Sequence, residues 1–180
     1  MVVDSYWEVI EPLFTVITLD KGPDAFSKST SSIPRPSLLL FTAHMCVAEV
    51  HNGGVLQLFW NNAGIMVPEG IEGFQTMGMP LLAEILRDAA RALGDPYPRD
   101  REDRWEALLA ASERTKPELM RMFKKLDPDE TRGFYKVFVE ATRNLGFDEL
   151  DKQFWQTART ENGGFQEAAT RFANAPHLLQ

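Results

Sequence analysis

The polar residues best placed to do chemistry lie within one apolar stretch in the first half of the chain. They stand among valine, leucine, phenylalanine and tryptophan, and they are Glu49, Asn52, Gln57 and Asn61. Gln57 and Asn61 are four residues apart, which places them on one face of a helix. Polar groups in so apolar a setting need hydrogen-bond partners. These residues therefore form the first candidate site.

Two interpretations of this stretch are open. In the structural one, Glu49 accepts hydrogen bonds from the free backbone N–H groups where a helix begins at Val55, and the residues between them make a turn. In the functional one, the carboxylate and the amides line a pocket or a contact surface for a partner. The candidate binding residues are Glu49, Asn52, Gly53, Gly54, Gln57, Trp60 and Asn61.

Catalytic and metal-binding patterns are weak. His44, Cys46, Glu49 and His51 are potential ligands or acid–base groups, but His44 and His51 lie two helical turns apart, about 10 Å along the axis. The sequence contains no nucleophile elbow, no phosphate-binding glycine loop and no Cys-x-x-Cys pair. We therefore predict no metal, no cofactor and a non-enzymatic protein. The alternative is a small-ligand-binding protein or hydrolase with a polar pocket around Glu49.

Charge constrains the choice of partner. The net charge is −7, and the first 90 residues hold ten acidic and four basic residues. Such a balance argues against direct binding to nucleic acid, which depends on neutralising phosphates. It favours a protein partner that is itself basic. We expect the acidic first half, around residues 49–61, to form the binding surface.

Helices must position these residues. Ser37 is a suitable N-cap for a helix over residues 38–51, and Asn52, Gly53 and Gly54 interrupt it before a short helix over residues 55–61. An earlier helix over residues 3–19 should be divided by Pro12. Residues 21–36, with Gly-Pro, a Ser/Thr run and Pro-Arg-Pro, predict a mobile loop. The whole chain, 1–180, predicts one all-α domain of about eight or nine helices.

Location and self-association are further expectations. The lone Cys46 and the absence of a signal-peptide pattern or a long apolar run predict a cytoplasmic protein that does not enter membranes. A dense aromatic set in the last third predicts core packing, with an exposed patch for a homodimer as the alternative. That set comprises Phe134, Tyr135, Phe138, Phe147, Phe154, Trp155 and Phe165.

The segment Glu49-Val-His-Asn-Gly-Gly-Val-Leu-Gln57, followed by Phe59-Trp-Asn-Asn-Ala-Gly64, resembles a recurring bacterial pattern. It is similar to a domain-of-unknown-function family that includes a DNA-mimic protein. The likeness covers residues 37–93 and departs at Val55, where the family usually has an aromatic residue. It implies a helical fold and a role in occupying a DNA-binding protein through an acidic surface. The mixed charges of residues 124–130 and 148–152 do not themselves suggest phosphate mimicry.

Overall fold

The structure is a computed structural model that describes residues 2–114, 117–118 and 131–175. Within these ranges the chain folds into nine α-helices and short 3-10 turns, without a strand, which confirms the predicted all-α class. The helices are α1 Trp7–Ile10, α2 Gly22–Thr30, α3 Arg35–Trp60, α4 Val67–Thr76, α5 Pro80–Arg91, α6 Arg101–Ala111, α7 Thr131–Thr142, α8 Phe147–Thr160 and α9 Phe165–Ala173. One hydrophobic cluster runs from Val3 to Ala173.

Helix α3 lies at the centre, and α4 packs closely along it. A Cβ atom at Gly70 would lie 2.5 Å from the Cys46 sulfur, and one at Gly73 would lie 2.5 Å from the Leu39 carbonyl oxygen. Neither position can hold a side chain without moving α4 away. Because α3 is buried over most of its first half, it fixes the positions of the helices around it.

The prediction of a loop over residues 21–36 is wrong, because most of this segment is helical. Residues 22–30 form α2, which starts with Pro23 in its first turn and buries Phe26 against the core. The Ser/Thr run is compatible with a helix because the hydroxyls of Ser29 and Thr30 donate to the Phe26 carbonyl, at 3.0 and 2.9 Å. Helix α3 then begins at Arg35, two residues before the predicted cap at Ser37.

The predicted helix over residues 3–19 is wrong in extent, although it is divided before Pro12 as expected. Helix α1 ends at Ile10, and a 3-10 turn over Glu11–Thr15 follows. The segment is anchored to the end of the described chain, because the Val3 N–H donates to Asn174 Oδ1 at 2.8 Å and Asn174 Nδ2 donates to the Val3 carbonyl at 3.0 Å. The N-terminal residues are therefore held against α9.

The aromatic set of the last third belongs mainly to the core. Phe138, Phe147, Phe154 and Phe165 are buried, which confirms the predicted core packing for these four and excludes them from the alternative exposed patch. The side chain of Phe134 lies outside the described residues. Large apolar side chains are exposed elsewhere, at Val2, Trp7, Phe14, Val16 and Leu81. The homodimer stays a prediction. Among the described residues, no helix is both long enough and apolar enough to cross a bilayer.

Candidate functional site

Helix α3 is interrupted at Gly53 and Gly54, as the sequence predicts. Gly54 has φ +81° and ψ 176°, a conformation that favours glycine. Close packing also excludes side chains here, since a Cβ at Gly53 would lie 2.0 Å from Gln57 Oε1 and one at Gly54 would lie 2.3 Å from Asp151 Oδ2. The two glycines therefore allow polar side chains to close over the break.

Three of the predicted site residues meet across this break. Gln57 Nε2 and Asn61 Nδ2 both donate to the same oxygen of Glu49, Oε2, at 3.2 and 2.8 Å. Glu49 lies before the break and the two amides lie after it, and all three side chains are partly buried. The three residues form a polar clamp, Glu49–Gln57–Asn61, that ties the two segments of α3 together.

The backbone N–H of Val55 is bound by a residue that sequence reasoning missed. Asp151, on α8, accepts it through Oδ1 at 2.7 Å, so the expected acceptance by Glu49 is wrong. Burial raises the pKa of Asp151, the Val55 hydrogen bond lowers it and the charge of Asp148 raises it. In the sequence, Asp151 looks like part of a solvated charged face beside Lys152. No local signal connects it to a helix start 96 residues earlier.

Asn52 and Trp60 have different surroundings. Asn52 is exposed at the turn, whereas the Trp60 ring stacks on Trp105 at 4.3 Å between centroids and meets Phe138 edge-on at 4.6 Å. Trp105 also donates its indole N–H to the Trp60 carbonyl at 3.1 Å. Trp60 therefore docks α3 against α6 and α7.

The end of α3 is held by a buried arginine. Arg104 is 1% exposed, and its guanidinium donates to the carbonyls of Phe59 at 2.9 Å and Asn61 at 2.8 Å and to that of Arg99. The contacts to Phe59 and Asn61 satisfy carbonyl groups that the C-terminus of α3 leaves free. A Cβ at Gly64 would lie 2.6 Å from Arg104 Nε, which explains the glycine that ends the motif. Burial lowers the pKa of Arg104.

The histidines and the cysteine are not brought together. His44 Nδ1 lies 3.0 Å from the Tyr6 hydroxyl, whereas the His51 ring stacks on Trp155 at 3.8 Å. Cys46 is fully buried, and burial raises the pKa of its thiol. In the described part of the chain, no group of three or more His, Cys, Asp or Glu residues could hold a metal ion.

A cavity of about 170 Å³ adjoins the break in α3. Gly53, Tyr135, Asp148 and Asp151 are among its lining residues. Burial raises the pKa of Tyr135, and the charges of Asp151 and Glu49 add to this effect. The volume falls below the range of about 300–1,000 Å³ typical of small-molecule sites. This cavity at the break in α3 therefore gives little room for a ligand.

Comparison with known proteins identifies one relationship. A family model described as DMP19-like protein matches residues 31–175. No curated protein and no solved structure matches the chain. The match extends well past the range 37–93 expected from the motif, and it includes Arg104 and Asp151. The two residues that hold the ends of the α3 segment 55–60 therefore lie in the same matched region as the motif.

Proposed function

Since the chain belongs to the DMP19-like protein family, we propose that it is a non-enzymatic protein-interaction module that binds a basic protein through an acidic surface. DNA-binding proteins are the first class of partner to test, because the resemblance of the motif implies a DNA-mimic role. The main support for this proposal is that the carboxylates of the first half without a basic partner are concentrated in one segment of the fold.

Five of the ten acidic residues of the first half have partners within the molecule. Arg35 pairs with Glu72, Arg99 with Glu69 at 2.7 Å, and Arg91 with both Glu84 and Asp88. Glu49 is held by the amides of the polar clamp. These carboxylates already have intramolecular partners, so they contribute less to the attraction of a basic protein.

The remaining carboxylates of the first half are concentrated at the start of the chain. All five are exposed and none forms an ion pair within the described ranges. Glu8 accepts the backbone N–H groups of Asp4 and Ser5, which leaves its negative charge without a basic partner. Lys21 and Lys28 are the only bases among residues 1–34. We call residues 4–24 the acidic N-terminal segment; its carboxylates are Asp4, Glu8, Glu11, Asp20 and Asp24. With five acidic residues and one basic residue, Lys21, the segment is strongly negative, and such a charge steers an oppositely charged partner.

The same segment exposes apolar side chains. Trp7, Phe14 and Val16 are 41%, 43% and 49% exposed. Trp7 and Phe14 contact each other at 5.4 Å, and Phe14 meets the buried Phe41 at 5.0 Å, so the fold holds both exposed rings in place. Aromatic anchors among charged neighbours are typical of interface hot spots. The partner that fits is a basic protein with apolar residues within its basic surface.

The test is affinity capture from a lysate of the source cell at low and high salt. Neutralising Asp4→Asn, Glu8→Gln and Glu11→Gln together should abolish capture of a basic protein that the wild type retains at low salt, since exposed charges are screened by salt. The matched control is Glu72→Gln, Glu84→Gln and Asp88→Asn, which removes the same charge from paired residues. Equal capture by both triple variants, or capture insensitive to salt, would contradict the proposal.

Competition with a DNA duplex then tests the proposed DNA-mimic role. If the captured protein binds DNA, a DNA duplex should release it in proportion to the occupancy of its DNA-binding surface. A captured DNA-binding protein that the duplex does not release would exclude the DNA-mimic role and leave the interaction module intact.

A further inference from the structure

A cleft of about 490 Å³ lies between the N-terminal segment, the first part of α3 and the junction of α8 with α9. Its lining includes Tyr6, His44 and His51 from the first part of the chain, and residues 158–159 and 163–167 from the last part. The volume is within the range of about 300–1,000 Å³ that small-molecule sites occupy. This cleft is distinct from the Glu49–Gln57–Asn61 clamp and from the smaller cavity beside it.

One part of the cleft carries a cation without a carboxylate partner. The Arg159 guanidinium lies over the Trp155 ring at 5.1 Å from its centroid, and within the described ranges it forms no ion pair. The His51 ring stacks on the same Trp155. Contact with an aromatic ring orders the arginine side chain while leaving its N–H groups able to bind an anion.

Another part of the cleft is apolar. Val47, Ala158 and Phe165 line it and are themselves buried, and the Phe165 ring packs edge-on to Tyr6 at 5.7 Å. The Tyr6 hydroxyl and His44 Nδ1 bind each other at 3.0 Å, so these two groups already satisfy one another. This wall suits a hydrocarbon or aromatic group more than a second polar one.

The charged residues of the cleft limit the charge of the anion that it can bind. Glu167 also lines it and pairs with Arg171 at 3.5 Å on the same helix. A doubly charged phosphate would face the Glu167 carboxylate with only Arg159 to balance it, whereas a single carboxylate needs one guanidinium. The cleft therefore favours a singly charged anion.

We propose that this cleft binds a small carboxylate with an apolar body, the carboxylate on Arg159 and the body against Val47 and Phe165. The bidentate geometry of a guanidinium and a carboxylate supplies orientation, and burial of the body supplies affinity. The proposed ligand contacts, Arg159, Val47 and Phe165, lie outside the acidic N-terminal segment, although Tyr6 of that segment lines the cleft.

The probes are benzoate, phenylacetate and hexanoate, each compared with its neutral amide and with inorganic phosphate. Binding is followed by the backbone amide chemical shifts of Gly163 and Gly164, which line the cleft. At least one carboxylate should give saturable shifts below ~10 mM, while its amide and phosphate should bind more weakly. If no carboxylate saturates in that range, or if the amides bind equally well, the proposal is wrong.

Two variants test whether Arg159 is the residue that binds the carboxylate. Arg159→Gln should weaken carboxylate binding about tenfold, which corresponds to about 1.4 kcal/mol. Lys152→Gln removes one positive charge from the same helix at a side chain that is not among the cleft residues, and it should leave the affinity unchanged. Circular dichroism checks that both variants fold. Equal losses in the two variants would show a general charge effect and overturn the assignment to Arg159.

Discussion

Asp151 Oδ1 accepts the backbone N–H of Val55 at 2.7 Å, so a carboxylate on α8 caps the second segment of α3. The helix start at residue 55 thus depends on a side chain 96 positions later. Asp151 also occupies the space that a side chain at Gly54 would need. The break in α3 and the docking of α8 are consequently one structural unit.

Loss of this cap should destabilise the protein. Asp151→Ala removes the acceptor and should lower the free energy of unfolding by about 1–2 kcal/mol, the usual cost of a lost N-cap. Asp151→Asn retains an oxygen at the same position and should lose less. Urea denaturation measures both variants. Equal losses in the two would show that the charge, and not the hydrogen bond, stabilises the helix start.

The free energy of unfolding should depend on pH differently in the wild type and in Asp151→Asn. Burial raises the pKa of Asp151 in the folded protein above its unfolded value. Its contribution to stability is then fully present below the unfolded pKa and is lost as pH rises through the folded pKa. The free energy of unfolding of the wild type, relative to the Asn variant, should therefore fall as pH rises. A difference that stays constant or grows in denaturation curves at several pH values would contradict this.

The polar clamp should couple the two segments of α3 energetically. Glu49→Ala leaves the Gln57 and Asn61 amides without their acceptor and should cost about 1–3 kcal/mol of unfolding free energy. A double-mutant cycle of Glu49→Ala with Asn61→Ala should give a coupling energy of about 0.5–3 kcal/mol. Additive effects would mean that the 2.8 Å contact between them contributes nothing. Retention of partner binding by the folded single variants would assign the clamp a structural role.

Arg104 should tolerate no replacement. Arg104→Lys keeps the charge but cannot supply the planar set of N–H groups that reaches three carbonyls, and it should cost at least about 2 kcal/mol. The control is Arg101→Lys on the same helix, where the exposed guanidinium lies over Trp105 and the change should stay within about 0.5 kcal/mol. Thermal and urea denaturation measure both. Similarly small losses of unfolding free energy in both variants would show that Arg104 does not stabilise the end of α3.

The parts of the fold governed by neighbouring residues could be predicted from sequence. The break at Gly53 and Gly54 and the division at Pro12 follow from backbone conformation, which glycine and proline restrict locally. The spacing of Gln57 and Asn61 correctly placed both amides on one helix face. Helix α2 was missed because its Ser/Thr run has the composition of a loop. The helix is held in place by Phe26, and the burial of this residue against distant parts of the chain is not visible from the local sequence.

Long-range contacts could not be predicted in this way. Nothing around Asp151 distinguishes it from the exposed acids beside it, and nothing around Arg104 shows that it is buried beneath α3. The same limit applies to the acidic surface. Total charge was visible in the sequence, but which carboxylates remain unpaired depends on which arginines reach them in the folded chain.

Site-specific photo-crosslinking shows whether the acidic N-terminal segment contacts the partner protein. A photoreactive phenylalanine analogue replaces Val16 in the acidic N-terminal segment, and the control replaces Leu81, an exposed apolar residue on α5. Irradiation in lysate at low salt should attach a basic protein at position 16 and not at position 81, and high salt should prevent it. Crosslinking of the same protein from position 81 alone, or of none from position 16, would show that this segment is not the binding surface.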